Sequence, residues 1–400
     1  MRYLLWCEVN SAWEDVCLVW LYSLCRELRF CEHDVKIVIF YDATTTTESS
    51  SADNDITNSD VANDNDVEAF NKRVQQIGMR FNVEVEVELF SSRDFVSDLP
   101  DNFCEGRCID RNSVGIAISR VMNYNKLLSD NLDSSIQPMM LSADNSFCSH
   151  NVINSNLRIC NPNTPIDSCS TDNGIVYIHC DIDGIFLEDS NLELLFDGID
   201  SVIADNDSPL LIGVNEYDDI STALAKTHSE EFITRLQGVY LNCGFICFYN
   251  VPSLSLSDLK EFLSTEDSYC LEQDYLNLLG CDNTNNGIDK PFANPSLTRI
   301  CLQPQYNYTY RKMLTETKLD TQTEPQSQSS FTLPVFIHYY GSDKPFLPKP
   351  SDRDSDVTPA IAHYYFPEYG QLVFKIRCLL SVDFVNLVRK RCVEEYWTER

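Results

Sequence analysis

Positive charge is scarce in this chain of 400 residues: 30 Lys and Arg stand against 61 Asp and Glu, a formal charge of −31. Affinity for nucleic-acid phosphate comes mainly from clustered Lys and Arg, so a nucleic-acid partner is excluded. Long apolar runs are missing as well. The most apolar stretch, "VCLVWLYSLC", is about half the ~20 residues that cross a bilayer. The opening "MRYLLWCEVN" has only a short apolar run and no small-residue cleavage pattern. No membrane span is expected, and the expected location is the cytoplasm. No CxxC pair occurs among the 17 cysteines, whose number is odd and which are scattered through runs such as "FICFYN" and "LVWLYSLC". Reduced thiols in the core are expected, and a structural zinc is not. No internal repeat is evident.

What is present is an ordinary globular composition, 43% hydrophobic and 11% aromatic, enough for one large core. Residues 3–9 and "VKIVIFYD" (35–42) read as buried strands around a helix that begins "SAWE", where Ser11 and Glu14 fit a capping box. A helix near 67–78, an alternating strand at 81–90 and a helix over about 113–128 follow. Further strands are predicted at 174–181, 209–215 and 238–250. Strands alternating with helices predict an α/β sheet. Four stretches rich in Asn, Asp, Ser and Thr, at about 44–66, 129–173, 281–290 and 315–330, bury too little apolar surface to offset ordering entropy and are expected to be disordered loop insertions. Residues 351–400 are expected to form a helical extension, with "LLSVDFVNLVRKRCVEEYW" as an amphipathic helix.

The run "IVYIHCDIDGIF" (175–186) is an apolar strand ending in two carboxylates spaced by one residue. In an open α/β sheet, residues at a strand's C-terminal end face the ligand crevice, and residues two apart point the same way. Asp181 and Asp183 can therefore share one site. A DxD tripeptide alone is weak evidence in so acidic a chain, and by itself it fits two loop acids starting a turn at Gly184. "DIDGIF" also resembles the first motif of the haloacid dehalogenase-like phosphatases, with a nucleophilic first Asp. That resemblance meets Ile185 where those phosphatases have Thr or Val, a late position in the chain, and no later GDxxxD motif.

A nucleotide-sugar site makes other demands. A divalent metal must bridge the carboxylates and a diphosphate, and more ligands must follow downstream. "HYYGSDKPF" (338–346) offers an imidazole, a glycine that lets backbone approach phosphate, and a lysine able to meet a leaving pyrophosphate. His338 alone would more often be structural; with Gly341 and Lys344 it reads as part of a site.

Together these blocks resemble the glycogenin-like retaining glycosyltransferases, glycosyltransferase family 8. "VYIHCDID" resembles the family's DxD strand, "LNCGFICFYN" its NSG strand, "LEQDYLNLL" its DQxxLN helix, "LQPQYNY" its LPxxYN segment and "VFIHYYGSDKPF" its HFxGxxKPW ending, in the expected order. "VNSAWEDVCLVWLYSL" is similar to the family's opening. The resemblance covers roughly residues 2–350 apart from the insertions. It implies a single GT-A-type, Rossmann-like domain over 1–350 with a mixed central sheet.

The resemblance further implies an Mn²⁺-dependent (or Mg²⁺-dependent) retaining hexosyltransferase using a UDP-sugar, UDP-glucose or UDP-galactose first. The acceptor would be a glycan, a protein-linked glycan or a small polyol, and the assembly is left open between a monomer and a homodimer. By the same resemblance Asp181, Asp183 and His338 would hold the metal. Asn10 and Trp13 would face the uridine, with Asp181 also touching the ribose. Asn242 and Gly244 would line the sugar, and Glu272 and Gln273 would stand beside the anomeric carbon. Gly341 and Lys344 would clamp the diphosphate, and Lys126 would reach donor oxygens. Cys243 replaces the serine of NSG, Glu272 the aspartate of DQ and Phe346 the tryptophan of KPW. A family member that binds nucleotide or a protein partner without transferring sugar is the alternative these departures keep open.

Overall fold

The computed structural model describes residues 1–43, 64–97, 99, 103, 111–135, 174–188, 190–265, 269–279, 281, 297–309 and 334–339. Most of the four expected insertions and the whole 351–400 extension lie outside the described residues.

The chain opens with β1 (Arg2–Asn10), a 3₁₀ turn (Ser11–Trp13), α1 (Glu14–Leu28) and β2 (Asp34–Asp42), then α2 (Asp64–Phe81) and β3 (Glu84–Phe90). After α3 (Ser92–Val96) and α4 (Arg111–Ser135) come β4 (Ile175–Cys180), β5 (Gly184–Phe186), α5 (Leu192–Ala204) and β6 (Leu210–Asn215). Helices α6 (Ile220–Leu224) and α7 (Glu230–Arg235) lead to β7 (Leu241–Tyr249), followed by α8 (Leu256–Leu263), α9 (Glu272–Leu279) and β8 (Thr298–Leu302). A 3₁₀ turn (Pro304–Asn307), β9 (Tyr308–Thr309) and β10 (Phe336–His338) complete the described elements.

Seven strands form one sheet in the order β3-β2-β1-β4-β7-β6-β8. Every neighbouring pair is parallel except those of β7, which runs antiparallel to β4 and β6. The sheet is thus mixed α/β, as the sequence predicts. Side chains alternate across it: Tyr3, Leu5, Cys7 and Val9 pack with α1, α2 and α5 on one face, while Leu4 and Trp6 pack with α4, α8 and α9 on the other. Burial on both faces is why the central strands read as continuous apolar runs.

A second, three-stranded sheet, β5-β10-β9, sits at the C-terminal edge of β4. β5 is fastened to α1, where Ser23 Oγ accepts from Phe186 N at 3.0 Å and Arg26 Nη2 donates to Phe186 O at 2.9 Å. β10 lies antiparallel on β5 and sets His338 opposite Gly184. A Cβ on Gly184 would come within 2.3 Å of the Phe336 ring, so the residue after the acid pair must be glycine for β10 to dock.

Three local expectations change. The capping box is absent: Asn10, not Ser11, caps the 3₁₀ turn by accepting from Ala12 N at 3.0 Å, while Glu14 accepts from Tyr41 Oη at 2.7 Å and pairs with Arg73. A 3₁₀ turn ahead of α1 displaces the cap by one residue. Helix α4 runs to Ser135, into the stretch expected as an insertion from 129, and α2 begins at Asp64, inside the one expected to 66. Polar composition is compatible with a helix that packs one face on a sheet. The described cysteines are free thiols, and eight of these ten are at least partly enclosed by apolar neighbours in the core or its rim.

Candidate functional site

β4 ends at the buried Cys180, and the chain bends through Asp181–Asp183 before it becomes β5. Both ends of the bend are pinned: Asp181 N donates to Gly244 O on β7 at 2.9 Å, and Tyr339 N donates to Asp183 O at 2.9 Å. The two acids therefore share a site because a bend between two sheets holds them, rather than by strand alternation alone.

His338 Nε2 lies 3.0 Å from Asp183 Oδ1 and 3.5 Å from Asp181 Oδ2, and one donor atom from each of the three falls within 4.8 Å of the others. An ion with octahedral bonds of about 2.1 Å sets adjacent ligands about 3 Å apart. Two carboxylates and one imidazole at these spacings fit a divalent cation of the Mn²⁺ or Mg²⁺ type. Gly244 belongs to this cradle for a steric reason, since a Cβ there would stand 2.2 Å from His338 Cε1 and 2.4 Å from Nδ1.

Behind the acids lies a buried charge network. Arg120 on α4 forks between Asp181 and Glu272, and its Nε is 4.0 Å from Glu8 Oε2. Glu8 accepts from Asn123 Nδ2 at 3.2 Å and meets His179 Nε2 at 2.9 Å, while His179 Nδ1 meets Cys243 O at 3.0 Å. Burial pushes the Glu8 carboxyl up, but His179, Arg120 and Asn123 outweigh it and hold it below its ordinary value. For Glu272 the balance reverses: burial raises it more than Arg120 lowers it. Burial also opposes the Arg120 charge, yet Asp181, Glu272 and Glu8 hold the guanidinium more firmly protonated than usual.

Gln273 is held at both ends of its amide: Oε1 accepts from Cys243 N at 2.9 Å and Nε2 donates to Glu216 Oε2 at 2.5 Å. Asn242 Oδ1 accepts from Gly244 N at 2.8 Å and from Asn307 Nδ2 at 2.9 Å, which joins the NCG strand to the "QYN" turn. A cleft of about 250 Å³ opens in front, lined by Glu8, Asn10, Trp13, Asp42, Arg120, Asp181 and Asp183 among others.

Of the residues predicted from the sequence, Asn10, Trp13, Asp181 and Asp183 line this one cleft, His338 joins the acid pair, and Asn242, Gly244, Glu272 and Gln273 surround it. Lys126 is not brought there. Its ammonium pairs with Glu88 on β3 and, at 2.9 Å, with Asp130 one helical turn on. Arg120, six residues earlier on the same helix, is the cation that reaches Asp181. Gly341 and Lys344 lie outside the described residues. Sequence reasoning missed Arg120, Glu8 and His179. The signals were a lone Arg within the apolar helical run "VGIAISRVMNY" and a Glu two residues before Asn10, on the same strand face.

Neither a protein-family model nor a curated protein sequence matches the chain. Solved structures do. The bifunctional glycosyltransferase WbbM in its apo form is 11% identical and matches over 98% of this chain and 52% of its own, with a TM-score of 0.50. The galactosyltransferase LgtC, in complex with donor and acceptor sugar analogues, is 11% identical over 99% of each chain, with a TM-score of 0.44. The glycosyltransferase GlyE of Streptococcus pneumoniae is 12% identical over 98% of this chain and 63% of its own, at 0.34. The mixed seven-stranded sheet and the WbbM match give this chain the GT-A-type fold. Among the described residues, no helix is long and apolar enough to cross a membrane.

Proposed function

We propose that the chain is a divalent-metal-dependent, retaining glycosyltransferase that moves a hexose, glucose or galactose, from a UDP-sugar to a hydroxyl on a glycan, a protein-linked glycan or a small polyol. The convergence of Asp181, Asp183 and His338 at the edge of the cleft that holds Asn10 and Trp13 carries this reading. Asn10 and Trp13 take the uridine, and Asp181, Asp183 and His338 hold Mn²⁺. When bound, the ion neutralises charge on the departing diphosphate. Gly341 and Lys344 close on the same diphosphate, and Asn242 and Gly244 shape the sugar pocket. Arg120, in place of Lys126, fixes Asp181 and Glu272 and presents the cleft with a permanent cation.

Gln273 stands beside the anomeric carbon. Its carbonyl oxygen accepts one hydrogen bond and keeps a lone pair for the positive charge that develops there. Retention is what the family resemblance implies, and because an amide is a poor nucleophile, same-face attack by the acceptor accounts for it better than a covalent intermediate.

The test is UDP release from UDP-glucose, UDP-galactose, UDP-N-acetylglucosamine, UDP-xylose and UDP-glucuronate, with Mn²⁺ and then with EDTA. Release from a UDP-hexose that chelation abolishes is expected. No release from any donor and no Mn²⁺-dependent UDP binding by calorimetry would refute the reading. Binding of nucleotide without transfer is the second reading, favoured by the Arg120 fork that already occupies both Asp181 and Glu272. Mn²⁺-dependent UDP binding with silence on every donor and acceptor separates it from the first.

A further inference from the structure

The opposite end of the sheet carries a second set of donor atoms. β1 spans nine residues, so this end lies on the order of 25–30 Å from the cleft. Glu193, Asp197 and Asp200 recur at i, i+4 and i+7 and therefore share one face of α5. That face meets the turn between α1 and β2, where His33 precedes the first residue of β2.

The His33 ring is held edge-on against Tyr3 (centroids 5.3 Å, 88°) and inclined to Phe196 (5.2 Å, 63°), which fixes its direction. Its Nε2 is enclosed, makes no hydrogen bond, and points between Glu193 Oε1 at 3.4 Å and Asp197 Oδ1 at 3.5 Å. On the other side of the ring, Nδ1 faces Asp200 Oδ2 at 3.9 Å, and Asp200 is itself held by the Tyr3 hydroxyl. Glu193 Oε2 accepts from Glu32 N at 3.1 Å, while Oε1 is the oxygen near the ring.

The plainer account makes His33 a hydrogen-bond donor to surface carboxylates. A ring N–H that donates to one carboxylate closes on it at about 2.7–3.0 Å. Instead Nε2 stands almost equally far from two, beyond hydrogen-bond length from either. Those separations match a different geometry: tetrahedral bonds of about 2.0–2.1 Å place neighbouring ligands about 3.3–3.4 Å apart.

We propose that His33, Glu193 and Asp197 bind a structural Zn²⁺, with a water as the fourth ligand, which staples the α1–β2 turn to α5. An imidazole and carboxylates at tetrahedral spacing suit zinc rather than magnesium or calcium, which take six or more ligands, mostly oxygen. The site is independent of the transferase reading, and its donor set needs none of the CxxC pairs on whose absence the expectation of no structural zinc rested.

The test uses the full chain carrying Asp183→Asn, which silences the cleft, stripped with a chelator and titrated with ZnCl₂ by calorimetry. One Zn²⁺ per chain is expected, with a rise in Tm. Asp197→Asn is isosteric and exposed, and His33→Gln preserves size; each should weaken binding by about 10–100-fold while leaving the metal-free Tm close to the parent's. With CoCl₂ as the probe, the visible absorption of tetrahedral cobalt should appear and be lost in His33→Gln. Absence of saturable Zn²⁺ binding, equal affinity in the parent and both variants, or a cobalt complex without the tetrahedral absorption would overturn the site.

Discussion

Asp181, Asp183 and His338 are gathered from strand ends far apart in sequence, and backbone hydrogen bonds to β7 and β10 hold them. His33, Glu193 and Asp197 are gathered by one helix turn and one loop, with Asp197 largely in solvent. The first cluster has rigid walls that include two glycines, Gly184 and Gly244, where an added Cβ would force β10 or its side chains to shift. The second can adjust by rotation of its two carboxylate side chains. A rigid cluster can hold a reacting group in place, whereas a pliable one is suited to a structural ion.

The sharpest way to break this contrast is at the rigid cluster. Asp183→Asn removes one charge from the cleft while preserving shape, and UDP release with Mn²⁺ is expected to fall by at least about 10²-fold. Activity in Asp183→Asn that stays within a factor of two of the parent would show that Asp183 is no ligand.

Gly244→Ala comes next. The added Cβ meets the His338 ring rather than a flexible chain end, so either β10 or the imidazole must move. Stability should fall by about 1–3 kcal/mol and Mn²⁺ affinity by about 10–100-fold. Urea unfolding and metal titration read the two effects separately. If only stability changes, His338 supports the fold and does not hold the ion.

Arg120 ties the two halves of the site together. Arg120→Met leaves Asp181 and the buried Glu272 without their cation, and a loss of about 3–5 kcal/mol is expected in urea unfolding. Adding Glu272→Gln to Arg120→Met should restore part of that loss, because one of the two orphaned carboxylates is gone. Additive losses in the double variant would mean that the pair is not coupled.

Much of the rigid site was legible because it rests on short blocks with fixed chemistry. "DID", "NCG", "EQ" and the histidine of "FIH" each sit at a strand or helix end, and the structure brings all four together. Strand order was not legible: nothing in "LNCGFICFY" says that β7 runs antiparallel between β4 and β6. Nor was Arg120, since choosing between two cations on one helix needs the helix's rotation against the sheet. Lys126, a turn and a half further on, faces β3 instead. The His33 cluster left no trace in sequence, because its donors come from one His in a turn and Glu-x₃-Asp in a helix some 160 residues later. Counting CxxC pairs cannot find such a set.

The smallest expected effect concerns Glu8, which joins the two layers of the cleft without lining the metal. Its folded-state pKa is depressed from 4.5, because His179, Arg120 and Asn123 outweigh the burial penalty. A depressed carboxyl contributes stability that is full above its unfolded value and lost as pH falls through the folded one. Urea midpoints should therefore hold steady down to about pH 5 and decline below it. In Glu8→Gln that part of the decline should be shallower, with the remaining slope left to the other carboxylates. An identical acid slope in the parent and Glu8→Gln would mean that His179 and Arg120 give this carboxylate no more stabilisation than water does, and that the cleft's back wall is held by packing around Trp6 and Tyr124 instead.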